Sequence, residues 1–535
     1  MGQLFPLKSL FLLIGFGLLP IEMNGQNILK FPSNRALYPR NALNKGYIKI
    51  EVDNWQTPEL RIKVYKDGIV IKNDSVSTVS NYYRTDSIEI VAGLHYYKIE
   101  LYDKNEAFEN VVQIADSIVC GDVFLVNGQS NSNYETTTNT DFLNNDFLVT
   151  YKDNWQKASS KATSIGQLGM KVGSSLINDT AIPVCILSEG LHSEKIEYFK
   201  PNPSNHLDLA TNYGRVLNKL NQIGFKEYVK GLIWFQGESD AHPSVFNPNY
   251  LSDINTLYSA WKIDLPQIWK YYVIQIRPGC YDYMNVYSKT YTSVQQAQYL
   301  ISEANEDVYL VSTNYSAHNG CHFDYYDGYD RLGDRILKLL KHHFYNFAIQ
   351  VNDISPYFGH VWVSGFNQIS AQILPMDASL SFDIRPEIEL QPYGNYSLNS
   401  WSIQPDNILV MNFTPLSSSN FNVNSHNNIT GIDFDSHQEN SSPGLHNSNN
   451  IGIISRYNVL LSDCPGSSLF LSGNISSGNL TFETERFIES THVVPILGIN
   501  SSLIYNAGKF IILKPGFEVK AANSSFFLTE LIGCP

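Results

Sequence analysis

Charge is scarce in this chain of 535 residues: 16% are charged, well below the usual quarter. Basic residues are scarcer than acidic ones, 37 Lys and Arg against 51 Asp and Glu, for a net charge of −14. No basic stripe offsets this balance, which argues against a nucleic-acid partner. Cysteine is also sparse. Six residues (Cys120, Cys185, Cys280, Cys321, Cys464 and Cys534) are too few for a dense disulfide scaffold. Cys120 and Cys185 lie in apolar runs and read as small core residues, whereas Cys464 and Cys534 bracket the last segment and are placed to clamp its ends. After the N-terminus, no apolar run is long enough to cross a bilayer. The first run, Leu10 to Leu19 behind Lys8, is too short for a comfortable span and reads as an export signal over residues 1–26. It has no clean A-x-A site, and an uncleaved anchor is the alternative. The expected location is secreted or at the cell surface.

What is present excludes disorder: 43% of residues are hydrophobic and 13% aromatic. The length predicts three or four domains. Residues 27–116 alternate apolar and polar positions in short bursts, such as Tyr47-Ile48-Lys49-Ile50-Glu51-Val52 and Leu60-Arg61-Ile62-Lys63-Val64, with an Asp67-Gly68 turn. Period-two strands at this spacing predict an N-terminal β-sandwich.

Residues 117–347 change pattern. Val123–Val126, Val184–Leu187, Leu232–Phe235, Tyr272–Ile274 and Val308–Val311 read as buried parallel strands. Between them, Leu168, Val172 and Leu176 share a helical face, as do Tyr213, Val216, Leu217 and Leu220, and later Leu332, Ile336, Leu339 and Leu340. Alternating strands and helices predict a three-layer α/β domain, whose ligands bind beyond the carboxyl ends of the strands. Residues 348–462 read as β-rich, with an Asn/Ser-rich exposed loop from Ser417 to Asn450. Residues 463–535 read as a C-terminal module of short strands.

Three segments directly after α/β strands carry reactive groups. In Gly128-Gln129-Ser130-Asn131 a strand runs into a turn that can present a hydroxyl beside free backbone N–H groups. A lone Gly-x-Ser is usually only a turn. Trp234-Phe235-Gln236-Gly237-Glu238 places an amide and a carboxylate past a second strand, where a polar strand cap is the bland alternative. Asn319-Gly320-Cys321-His322-Phe323 places an imidazole before a helix, and one histidine among 13 is more often structural. The set of Ser130, Gln236 with Glu238, and His322 in one domain carries the argument. His318 and His322 are four apart, but Gly320 lies between them and no H-E-x-x-H pattern appears, so no metal is implied.

These segments resemble the sequence blocks of the SGNH/GDSL hydrolase superfamily, in its sialate O-acetylesterase and acetylxylan esterase branch. The similarity covers residues 117–347 and extends to Leu37-Tyr38-Pro39-Arg40 in the preceding sandwich. It implies an α/β fold with a flavodoxin-like SGNH core, a parallel sheet with helices on both faces, flanked by β-sandwich-like domains. It implies a carboxylic ester hydrolase acting on acetylated carbohydrate without a cofactor. By this resemblance Ser130 is the nucleophile, His322 its general base, and Gln236 a side chain that helps hold the oxyanion. Glu238 belongs to the same motif and orients the site. The C-terminal segment, with Ile511-Ile512-Leu513-Lys514-Pro515-Gly516-Phe517, resembles modules ending secreted bacterial proteins, which would serve surface attachment, export or spacing.

Two positions depart from the pattern. The family carries aspartate where this chain has Asn319, and a carboxylate there balances the imidazolium charge. Glu238, and behind it Asp324 or Asp327, are the candidate substitutes. A glycine pair of the family is replaced by His192 and Ser193. Two readings therefore stay open: an esterase, or a weakened or inactive glycan-binding protein on the same scaffold.

Overall fold

The computed structural model describes residues 27–277 (less 54, 56, 58, 78–81, 86 and 105–108), 289–365 (less 320), and from 368 to 530 a set of strands with some of their turns. The expected export signal, residues 1–26, and Cys280, Cys464 and Cys534 lie outside the described residues. The chain divides into two compact units, the first holding residues up to 34, 47–90 and 96–118, the second the remainder. The stretch 27–116 thus falls mostly in the first unit, but 35–46 and 91–95 belong to the second.

In the first unit, Glu59–Lys66 pairs antiparallel with Ile69–Ser77 and with Tyr97–Lys104. The hairpin closes through Asp67 and Gly68, at φ 51° and 81°. Both central residues at positive φ suit the twist of a two-residue hairpin loop. Leu60, Ile62 and Val64 alternate into the core, as the period of two requires.

The second unit is built on a seven-stranded sheet. Its strands are β1 (Glu109–Gly128, whose second half enters this sheet), β2 (Leu148–Tyr151), β3 (Trp155–Lys157), β4 (Val184–Ser188), β5 (Val229–Phe235), β6 (Lys270–Ile274) and β7 (Val308–Val311). Their order is β3-β2-β4-β1-β5-β6-β7. All are parallel except the edge strand β3. The principal helices are α1 (Ser130–Asn133), α2 (Gly166–Thr180), α3 (Asn212–Ile223), α4 (Glu238–Ala241), α5 (Tyr250–Asp264), α6 (Lys289–Ala304) and α7 (Arg331–Tyr345).

Alternation along the strands splits the core into two layers. Phe124, Val126, Ile186, Ile233 and Phe235 pack with Leu168, Val172 and Leu176 of α2 and Leu332, Ile336 and Leu340 of α7. On the other face, the Trp234 ring meets Trp261 of α5 edge-on at 5.3 Å. Each such buried side chain contributes roughly 1.5–3 kcal/mol of hydrophobic stabilisation. The sheet grows one way from β1 to β4 and the other way to β5. The crevice beyond its carboxyl end is therefore a topological switch point.

Past α7, strands Tyr357–Gly365, Gln368–Leu374, Ile408–Pro415 and Tyr396–Gln404 form an antiparallel sheet in that order. Most of the Asn/Ser-rich stretch 417–450 lies outside the described residues, and toward its end His446 and Asn447 are buried while Ser448, Asn449 and Asn450 are exposed. Leu445–Asn447 is a strand paired with Leu380–Phe382, and Asn447 is fully buried. The chain then docks on the α/β sheet: Gln275 Nε2 donates to Ser455 O at 2.7 Å, and Asn314 Nδ2 to Ile453 O at 2.6 Å. Those bonds satisfy buried backbone groups that a free loop would give to water. The described C-terminal strands pair in parallel rather than as hairpins, for example Asn479–Thr484 with Ser502–Ala507 and that strand with Phe526–Glu530.

Candidate active site

The turn after β1 is made by a glycine that no other residue can replace. Gly128 has φ 141°, and a Cβ there would lie 2.0 Å from the Phe235 carbonyl oxygen. This close approach lets the end of β1 press on β5, where Gln129 N–H donates to that same carbonyl at 2.9 Å. Ser130 follows as the first residue of α1, buried to 9% exposure. Its N–H has no acceptor among the described residues, as expected at a helix start. The Gln129 side chain joins the first two motif segments. Its Oε1 accepts from Gly237 N–H at 3.1 Å and Ser239 N–H at 3.2 Å.

His322 arrives on a two-strand hairpin, in which it pairs with Asn319. Its Nε2 lies 3.0 Å from Ser130 Oγ. That distance is a hydrogen bond, with the hydroxyl donating to a neutral imidazole. Tyr134 covers the ring, with centroids 3.7 Å apart and planes inclined by 9°. Burial, and secondly the charge of His192, push the imidazole down to about 4. The neutral base is thereby maintained at neutral pH.

None of the described residues accepts a hydrogen bond from His322 Nδ1. The side chain of Asn319 lies outside the described residues. Asp327 is engaged with Arg331 at 2.5 Å. Glu238 reaches Asn131 rather than the imidazole: Asn131 Nδ2 donates to Glu238 Oε1 at 2.6 Å. Glu238 is 2% exposed and its Oε2 has no partner among the described residues. Burial raises its carboxyl to about 7.

Asn131, next to Ser130, ties all three motif segments together. Besides Glu238, its Nδ2 donates to the Cys321 carbonyl at 3.0 Å, and its Oδ1 accepts from Tyr329 Oη at 2.7 Å. Cys321 is disulfide-bonded. The sequence reading singled out neither Asn131, Tyr134 nor Tyr329. Asn131 stood beside the motif serine, while no spacing rule connects residue 134 to residue 322.

Gln236 is deeply buried. Its Nε2 donates to Asp240 Oδ2 at 2.5 Å and to Glu194 O at 3.3 Å, so both amide hydrogens are committed in this rotamer. Its Oε1 has no partner among the described residues. The loop after β4 closes the other side. Leu191 N–H donates to Gly128 O at 2.9 Å, and Ser193 sits in the left-handed region at φ 59°. A serine held there costs of order 1 kcal/mol where glycine would cost nothing.

A hydroxyl, an imidazole and a buried carboxyl with a raised pKa thus converge at a sheet's switch point. The sequence model of one family, described as carbohydrate esterase, sialic acid-specific acetylesterase, matches residues 120–341. No curated protein matches the chain. Among solved structures, a carbohydrate acetylesterase from Xanthomonas citri is 14% identical, with TM-score 0.56, over 81% of this chain and 99% of that one. The two share a fold. A protein from Arabidopsis thaliana aligns over 43% of this chain and 99% of its own at 17% identity, with TM-score 0.34. A carbohydrate esterase family 2 enzyme with a carbohydrate-binding domain, from Corynascus, aligns over 59% and 99% at 9% identity, with TM-score 0.27. The acetylesterase segment is a carboxylic ester hydrolase acting on carbohydrate acetyl groups.

Proposed function

We propose that the protein is an exported serine esterase that removes O-acetyl groups from a sialic acid or another acetylated sugar through a Ser130–His322 pair. The observation that carries this reading is the 3.0 Å approach of His322 Nε2 to Ser130 Oγ. In the first half-reaction Ser130 Oγ bonds to the acetyl carbon while its proton passes to His322 Nε2. His322 then gives that proton to the departing sugar oxygen, leaving acetyl-Ser130. Water repeats the sequence, releasing acetate. The N–H of Ser130 faces the developing oxyanion. Gln236, whose amide hydrogens are given to Asp240 and to the Glu194 carbonyl, joins it only if its amide turns over. Glu238 acts by holding Asn131, and Asn319 stands in the sequence where the family carries aspartate, an amide with no charge to balance the imidazolium.

The strand order β4-β1-β5-β6-β7 supports a flavodoxin-like SGNH core. We read the flanking strands as β-sandwich-like domains, residues 1–26 as an export signal, and the C-terminal strands as a surface-attachment module. A serine-directed fluorophosphonate should label Ser130, and Ser130→Ala should abolish both labelling and acetate release from an aryl acetate. Undiminished turnover by Ser130→Ala excludes the reading. The second reading, a weakened glycan-binding member, draws on the strained Ser193 and on the missing aspartate. Absent labelling together with retained binding of acetylated glycan would favour it.

A further inference from the structure

We propose that Tyr134 is a positioning residue that stands in for the absent aspartate, its ring face fixing the His322 imidazole toward Ser130 and stabilising the imidazolium formed when Ser130 is deprotonated. The inference rests on the Ser130–His322 reading above. A general base in such a pair needs two services from a third group: orientation of the ring, and compensation of the positive charge it acquires. A carboxylate on Nδ1 supplies both. Among the described residues none does so here, and Asn319 stands where the family carries aspartate.

Tyr134 is placed for both tasks from a different direction. Its ring lies parallel to the imidazole within 9° at a centroid distance of 3.7 Å, closer than the 4.5–7 Å usual for aromatic pairs. The two rings are in face-to-face contact, so the imidazole cannot tip without losing it. The position is fixed from behind, because the Tyr134 carbonyl accepts from Gln167 N–H at 2.9 Å and its ring also stacks on Tyr329 at 6.1 Å. The face of a phenol ring is electronegative and attracts a cation within about 6 Å of its centre. A neutral imidazole gains little from this, an imidazolium much more. The contact therefore stabilises the transition state over the ground state, which is the requirement for acceleration.

The other ionisable groups around His322 do not supply the charge. His192 adds a like charge. Glu238 and Tyr329 are held on Asn131, and Asp327 on Arg331. Asp330 is held by Lys171, with Tyr325 also donating to it. His318 and Asp324 flank the hairpin.

The test compares Tyr134→Phe, which keeps the ring face, with Tyr134→Leu, which keeps bulk alone, in kcat/KM for an aryl acetate from pH 4 to 9. The expected result is a Phe variant within about twofold of wild type. The Leu variant should lose about tenfold in kcat and move its acidic limb to lower pH, with fluorophosphonate labelling slowed but still confined to Ser130. Should Tyr134→Leu fold poorly, Tyr134→Met provides the same comparison. Leu or Met variants matching Phe in both rate and acidic limb overturn the proposal. Failure of the underlying reading is distinct: wild-type Ser130 would not label, and Ser130→Ala would stay active.

Discussion

Glu238 makes a stability prediction that a single substitution isolates. Its carboxyl is buried with one oxygen on Asn131 and the other unpartnered, and burial raises it from 4.5 to about 7. Folding therefore favours the protonated form. Below pH 4.5 the carboxyl is protonated in both the folded and unfolded chains. Between 4.5 and about 7 the folded protein binds the extra proton, so stability falls as pH rises, and it levels off above 7. The gap between the two values corresponds to about 3 kcal/mol. His322 slopes the other way, because its imidazole is held at about 4 and its contribution grows as pH rises toward 6.5. Wild type alone would thus show a blurred profile. The comparison with Glu238→Gln removes the blur, since the amide keeps an oxygen for Asn131 and carries no charge. Thermal melts at pH 5 and pH 8 should show the glutamine variant losing the Glu238 component, a relative gain at pH 8 of roughly 6–12 °C for a domain of this size. Parallel pH dependence in the two proteins would refute a buried, proton-binding Glu238.

Asn131→Ala orphans the buried Tyr329 hydroxyl and Glu238 carboxyl together, at about 1–3 kcal/mol each. A melting point lower by roughly 4–24 °C is expected, with esterase activity reduced because the serine and histidine segments lose their tie. In wild type, kcat/KM should stay flat down to about pH 5 and fall only near pH 4, where His322 takes up its proton; an acidic limb near 6.5 would contradict the buried, carboxylate-free imidazole. Asn319→Asp should raise kcat/KM and shift that limb upward if the missing charge limits the rate, which steady-state kinetics with an aryl acetate would show.

Much of the fold was readable because burial on both faces writes itself into a strand. Val123–Val126 and Leu232–Phe235 are unbroken apolar runs since helices cover both sides of the sheet. Leu148–Tyr151 is just as buried but only four residues long, and its threonine and tyrosine dilute the run. Helix α5 was also missed, because its buried Ile254, Leu257 and Trp261 are interspersed with polar residues that weaken the periodicity. The C-terminal strands hid their architecture differently. Leu480, Leu503 and Phe527 stack in register on successive parallel strands. The intervening residues differ, so the repeat lives in the pairing and not in recurrent letters. Within the candidate site, Ser130 and His322 could be found because their segments carry motif residues at fixed offsets. The Tyr134 contact spans 188 positions and leaves no local trace.

The geometry also explains why a glutamine, an asparagine and a glutamate accompany the serine and histidine in these segments. A nucleophile and base on separate loops stay within 3.0 Å only if something fixes the loops to each other. Here Gln129 fastens the serine turn to the start of α4 through two backbone N–H groups, and Asn131 fastens it to the histidine hairpin and to Glu238. Both amides are buried: Gln129 accepts through its oxygen, and Asn131 donates through Nδ2 as a carboxylate could not. An aspartate at 131 could not donate to both the Cys321 carbonyl and Glu238, and a glutamate at 129 would place a second buried carboxylate near Glu238. The amides thus join three loops in a dry interior without adding a buried charge that would itself need a partner.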